Sequence, residues 1–360
     1  MLVKRLLGIL FALALIPAWA LGLDMKTLHP EAFPWKPPYT ADQLAFLEDA
    51  TFFPAVTNYD CDALEIEVDA RGYIRQRATM RKRLNRYDDY RELLDFKGGT
   101  LKPGAQKRRD IIFMLTPPQL KNQTLLSWTY KETPDVRKMV DWWIYIPALR
   151  QVRRLATGER SDGVAGGDMT YDDIVGREPF DENHTLLGED TLPADGIIPE
   201  PVDCYVVKAV HTDPSYYLGK RIVWIDKKLF IRWREEQYDK KGNLWKIFER
   251  RMEPKGKAAI LDHTNWYDWN VKKHFRQWVR IFNVKYDGNF KETEFEPNFL
   301  RKEFTWRVPD IGAYPYIKSP KDLPKLPPLL EGRFPAERKW DIPEETKRLL
   351  EKELKEGKGA

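Results

Sequence analysis

The chain is poor in the residues that build reactive centres. Its 360 residues include two cysteines, Cys61 and Cys204, and five histidines, His29, His184, His211, His263 and His274. The cysteines lack the short paired spacing of a zinc site, although an oxidising compartment would leave one disulfide between them open. The histidines are scattered, with no pair spaced to share a helix face. No serine sits in a Gly-x-Ser-x-Gly turn, and Ser161 lies between Arg160 and Asp162. No Gly-Lys-Ser/Thr closes a phosphate loop. These absences argue against nucleophilic, metal-dependent and nucleotide-driven catalysis. A hydrolase working through paired carboxylates stays open as an alternative, but no pair is singled out.

What is present begins with an export signal. Lys4 and Arg5 precede an apolar run from Leu6 to Ile16, Pro17 breaks it, and Ala18-Trp19-Ala20 supplies small residues for cleavage. The run is too short for a permanent membrane span, and no later run is long enough. The competing reading is an uncleaved anchor. Loss of Lys4 and Arg5 would lower the formal charge from +5 to +3, an ordinary value that gives no footprint for nucleic acid. A periplasmic protein, soluble after cleavage, is expected.

Proline and composition divide the remainder. Residues 21–64 read as a Pro/aromatic extension, with a short helix over Ala41–Glu48. Residues 65–305 read as a β domain. Strands are expected at Ile111–Leu115, Thr124–Tyr130, Trp142–Ile146, Gln151–Leu155, Tyr205–His211, Arg221–Ile225, Leu229–Gln237, Leu244–Arg250 and Gln277–Tyr286. Short polar turns such as Asp239-Lys240-Lys241-Gly242-Asn243 join several of them, which implies antiparallel pairing. Leu229, Ile231 and Trp233 alternate with Arg232 and Arg234, and Glu235-Glu236 reads as a solvated position. The expected body is one large, curved antiparallel sheet or part-closed barrel. Residues 306–360 form a Pro-rich arm closing in a charged helix, read as a solvated or lightly docked tail; a docking helix for a partner is the alternative.

The densest signal is Trp142–Asp173. Trp142, Trp143 and Tyr145 put aromatic surface on both faces of one strand, which suits packing on one side and a cavity on the other; burial between sheet and extension is the competing reading. Arg150, Arg153, Arg154 and Arg160 follow, then Asp162, Asp168, Asp172 and Asp173. Internal Arg–Asp pairing that fixes the loop is favoured over an anionic-ligand site. Thr170 to Asp173 has the spacing of a helix capping box. The Asp-rich loop lacks the ligand alternation and terminal Glu of an EF-hand, so no metal is assigned.

From about Arg109 to Trp306 the chain resembles the LolA-like outer-membrane lipoprotein-sorting family, and also the longer DUF1329-type proteins. The likeness rests on Trp143-x-Tyr145-x-Pro147-Ala148-Leu149, Val152-Arg153-Arg154 and Gly166-Gly167-Asp168-Met169-Thr170-Tyr171-Asp172-Asp173. It continues in Asp203-Cys204-Tyr205-Val206-Val207 and Val223-Trp224-Ile225-Asp226-Lys227. The resemblance implies a mainly β half-barrel with short covering helices and an apolar cavity, in a periplasmic carrier; joined to the missing catalytic constellation, it gives the expectation of a non-enzymatic, cofactor-free monomer. Its partners would be lipid or lipoprotein acyl chains, moved between inner-membrane machinery and the outer membrane, with an RND/MMPL-type transporter alongside. On this reading Trp142, Trp143, Tyr145, Arg153, Arg154 and Tyr171 contact cargo, and Asp168, Asp172 and Asp173 hold a gate. A non-carrier interaction protein for such an exporter is the alternative.

Overall fold

The computed structural model describes residues 35–52, 58–85, 102–156, 160–163, 167–255, 260–286, 288–302, 307–338 and 342–355. The signal segment 1–20 and Gly166 lie outside them.

Thirteen strands form one sheet in which every neighbouring pair is antiparallel. The first six are β1 (Tyr59–Val68), β2 (Ile74–Asn85), β3 (Gln106–Met114), β4 (Thr124–Tyr130), β5 (Val140–Ile146) and β6 (Gln151–Leu155). Then come β7 (Glu182–Leu192), β8 (Val202–His211), β9 (Lys220–Asp226) and β10 (Arg232–Tyr238). The last three are β11 (Leu244–Lys255), β12 (Ile260–Asn270) and β13 (Phe275–Tyr286). Among the described residues three α-helices accompany them: α1 (Ala41–Phe52), α2 (Tyr171–Val175) and α3 (Glu344–Lys355).

The strand order is β6-β5-β4-β3-β2-β1-β13-β12-β11-β10-β9-β8-β7. The chain therefore builds outward from the middle to one edge, crosses to the far edge, and returns to close β13 onto β1. The sheet is open and curved, as expected from the sequence. Bulges at Asp60/Asp62, Arg232/Arg234 and Arg251/Met252 interrupt the ladder and add local twist and bend. The connection between edge strands β6 and β7, whose described residues carry α2, links the two edges of the sheet.

Alternation along each strand gives the sheet two covered faces. On the arm face, Leu84, Ile111, Leu126 and Tyr145 pack against Phe295 and Leu300. Leu64, Ile66, Met80 and Phe113 pack against Tyr314 and Ile317. Trp224, Ile247 and Trp269 pack with Leu330 and Ile342. The chain after β13 thus straps most of this face. The tail is docked rather than solvated: Thr346 Oγ1 donates to the Val271 carbonyl at 2.9 Å, and Arg276 pairs with Glu353 at 3.0 Å.

On the helix face, α1 sets Leu44, Phe46 and Leu47 on Val207, Val223, Ile225 and Phe230 at the β8–β9 end. Cys61 belongs to the β1–β13 cluster of this face and Cys204 to the arm-face cluster; both are buried free thiols. β10 departs from the expected in/out alternation. Arg232, Arg234, Glu235 and Glu236 are all buried. The bulge turns Arg232 away from Arg234. Arg234 pairs with Glu236 at 2.7 Å and Glu249 at 2.6 Å, while Arg232 and Arg221 both pair with Glu235. Glu235-Glu236 is therefore interior and neutralised, not solvated, because strap and crossing segment cover both faces.

Candidate functional site: a cleft beneath the crossing segment

Helix α2 forms where its end is specified locally. Thr170 Oγ1 accepts from the Asp173 N–H at 3.2 Å and Asp173 Oδ2 accepts from the Thr170 N–H at 2.9 Å, the reciprocal box expected from the spacing. Tyr171 and Val175 then pack on Trp142 and Leu125, while Asp173 reaches the opposite half of the sheet. There Gln237 Nε2 donates to Asp173 at 2.8 Å and the Lys246 ammonium at 3.1 Å. The crossing segment bridges the helix face from β5 to β11.

Its acidic residues are held by partners ranging from fully buried Lys246 and Asn270 to exposed Lys273. Asp168 accepts from Asn270 Nδ2 at 2.9 Å and from Lys273 at 2.9 Å, and lies 3.4 Å from Lys246. Asp172 accepts from Arg160 at 2.9 Å and from the Tyr216 hydroxyl. Arg177 adds a donor to Asp173 at 3.2 Å. Burial alone would raise the Asp173 pKa, but Lys246 and Arg177 more than offset it and hold the carboxyl well below the usual carboxylate range. Burial likewise opposes the charge on Lys246, and Asp173, Asp268 and Asp168 together raise its pKa.

Beneath α2 lie two adjoining cavities of about 90 Å³ and about 100 Å³. Arg81, Ile112, Trp142, Ile174 and Trp266 line both. The first adds Arg83, Arg108 and Asp110; the second adds Met114, Leu125, Met169, Gln277 and Val279. Arg83 and Arg108 pair with Asp110 at 2.5 and 2.9 Å. Burial raises the Asp110 pKa, yet these two arginines bring the net shift below the ordinary value. No lining residue comes from α1 or from the strap, so these two leave the cleft clear, whereas Tyr59 and Cys61 at the end of the N-terminal extension are part of β1 and line the first cavity.

A family model described as "Uncharacterized protein" matches residues 106–302, more than half of the 360-residue chain. The chain belongs to that family. No curated protein matches it. Among solved structures, it resembles an outer membrane lipoprotein-sorting protein domain from Vibrio parahaemolyticus. The two share 18% identity and a TM-score of 0.56, over 73% of this chain and 98% of that one. A DUF1329 family protein from Desulfovibrio piger matches at 19% identity and a TM-score of 0.54, over 72% and 95% of the two chains. The resemblance to LolA-like and DUF1329-type proteins read from the sequence therefore holds. At these identities the structures speak for the fold.

The sequence-derived site residues fall in different places. Trp142 and Tyr171 face the cleft side, and Asp168, Asp172 and Asp173 anchor the crossing segment. Trp143 and Tyr145 point to the arm face, where Trp143 stacks near Trp128 at a centroid distance of 4.5 Å and Tyr145 packs with Phe295. Arg154 pairs with Asp141 on that same face, and Arg153 is exposed beside Gln151. The expected pairing of Arg153 with the loop aspartates does not form. Arg160, Arg177 and Lys246 take that role, because β6 ends before the segment turns inward across the sheet. Lys246, Gln237 and Asn270 were missed; the one hint was a lysine inside the apolar run Leu244-Trp245-Lys246-Ile247-Phe248.

This placement gives a contrast between two arginines. Arg153→Ala is expected to change stability by less than about 0.5 kcal/mol. Arg160→Ala removes a charged donor from buried Asp172 and is expected to cost about 1.5–3 kcal/mol. Urea denaturation of both variants checks the ordering.

Proposed function

We propose that the chain is a periplasmic, non-enzymatic carrier that holds an acyl chain of a lipid or lipoprotein in the cleft between α2 and the sheet. The observation that carries this reading is the cleft itself: an interior lined by Ile112, Met114, Leu125, Ile174, Val279 and Trp142, with arginines alongside, on one face of a LolA-like sheet. Burying an acyl chain is worth about 0.8 kcal/mol per methylene, so an apolar interior is the main requirement. Among the described residues no helix is long and apolar enough to cross a membrane, in keeping with an exported carrier. Each cavity is smaller than the roughly 300–1,000 Å³ of ordinary ligand pockets. Loading therefore requires Met169 and Ile174 on the crossing segment to move aside, which makes Asp168, Asp172 and Asp173 the anchors of a gate.

The small volume also favours a second reading, a non-carrier interaction protein working beside an RND/MMPL-type exporter. Uptake of a fluorescently labelled monoacylglycerol separates the two. Ile174 is half-buried and lines both cavities, so Ile174→Trp fills the cleft while leaving the Asp173–Lys246 anchor in place. The carrier reading expects uptake by the natural chain and at least a tenfold loss in the variant. Uptake that Ile174→Trp leaves unchanged would place the ligand elsewhere, and no uptake at all would favour the interaction protein.

A further inference from the structure

Beside one end of the cleft, on neighbouring strands β12 and β13, two buried side chains leave hydrogen-bond acceptors without a partner among the described residues. Asp268 and Gln277 are direct cross-strand neighbours. Gln277 is 7% exposed and lines the larger cavity. Its Oε1, and both carboxylate oxygens of Asp268, have no hydrogen-bond partner among the described residues. Unmade hydrogen bonds of this kind are costly when buried. Trp266, two residues before Asp268 and so on the same face, adds an aromatic wall to both cavities.

Against the burial that raises the Asp268 pKa, Lys246 and Arg250 lower it through space, but neither donates a hydrogen bond to it. Lys246 serves Asp168 and Asp173. Arg77 pairs with Glu65 at 3.1 Å and Glu67 at 2.6 Å, and Arg81 also pairs with Glu65. What the Asp268–Gln277 pair lacks is a group that only donates. A primary ammonium fits: it carries three N–H donors and no acceptor, it favours the ionised form of Asp268 against the burial that otherwise keeps that group protonated, and a cation is attracted to an indole face. A carboxylate or phosphate head would instead meet a row of acceptors.

Resting on the carrier reading above, we propose that this end of the cleft is a subsite for the primary-ammonium head of an aminated amphiphile. Asp268 and Gln277 accept its three N–H groups, Trp266 flanks it, and the hydrocarbon chain runs along Ile112, Met114 and Leu125 towards Trp142.

The test is competition against the labelled monoacylglycerol by four eight-carbon amphiphiles: octylammonium, octyltrimethylammonium, octanol and octanoate. Octylammonium is expected to compete at least tenfold more tightly than each of the others. Gln277→Leu and Asp268→Asn are each expected to erase that preference, read within the variant as the ratio of octylammonium to octanol competition. Equal competition by octyltrimethylammonium would show charge without donor recognition and overturn the subsite, as would a preference that survives both substitutions. N-acetyl-lysine amide competing as well as octylammonium would assign the ammonium to a protein side chain and overturn the amphiphile. Those results leave the carrier reading standing, whereas failure of the natural chain to take up the labelled probe removes both.

Discussion

Lys246→Met is expected to destabilise the protein by about 3–5 kcal/mol, the cost of removing one partner from a buried ion pair. Lys246 is 0% exposed, and its ammonium is shared by Asp168 and Asp173. Methionine keeps the length of the side chain, so the loss would report charge rather than packing. Without Lys246, Asp173 keeps Arg177 and Gln237, but one buried carboxylate is left with less compensation than its desolvation demands. The segment 156–181 should then become more sensitive to protease, because Asp173 ties α2 to β11. Adding Asp173→Asn to the variant is expected to restore part of the loss by removing the stranded charge. A midpoint shift in urea worth less than about 1 kcal/mol, with unchanged cleavage, would show that the crossing segment is held by packing alone.

Asp268→Asn is expected to act in the opposite direction and to depend on pH. Burial raises the Asp268 pKa well above its ordinary value; Lys246 lowers it in part, and Asp168 and Asp173 raise it again. The folded chain therefore keeps a proton that the unfolded chain releases above about pH 4. Stability from this group is fully present below the unfolded value and declines as pH rises towards the folded one, by up to about 1.4 kcal/mol per pH unit. Asparagine cannot ionise and escapes that decline. The variant should gain on the natural chain steadily from pH 4.5 to pH 7, measured as denaturation midpoints at several pH values. A gap that stays constant across this range would mean that Asp268 is ionised and compensated in the folded protein.

The sequence was legible where structure is decided locally. Thr124–Tyr130 and Gln151–Leu155 fall where the strand signals put them, and the Thr170–Asp173 box depends on residues three apart. Trp142 and Trp143 do split between a cavity side and a packed side, as aromatics on both faces of a strand suggested. What was not legible is a sheet face built from charge. β2 alternates Arg75, Arg77, Thr79, Arg81 and Arg83 against Ala78, Met80, Lys82 and Leu84, and Glu65 and Glu67 on β1 answer the arginines. Such a strand looks like a polar loop until its neighbour is known. β1, whose first residues were assigned to the extension, and β7 and β12 were missed as well. The partners of the crossing segment were hidden for a different reason: Lys246 and Asn270 lie 73 and 102 residues from the aspartates they bind, and no local pattern spans that distance.

The account turns on whether the cleft beneath α2 carries an acyl chain. Mass spectrometry of the natural chain and of Ile174→Trp, each purified from its own cells in mild detergent, tests this most directly. The prediction is acyl-bearing lipid bound near one per protein in the natural chain and depleted in the variant. Equal lipid in both, or none in either, would contradict it.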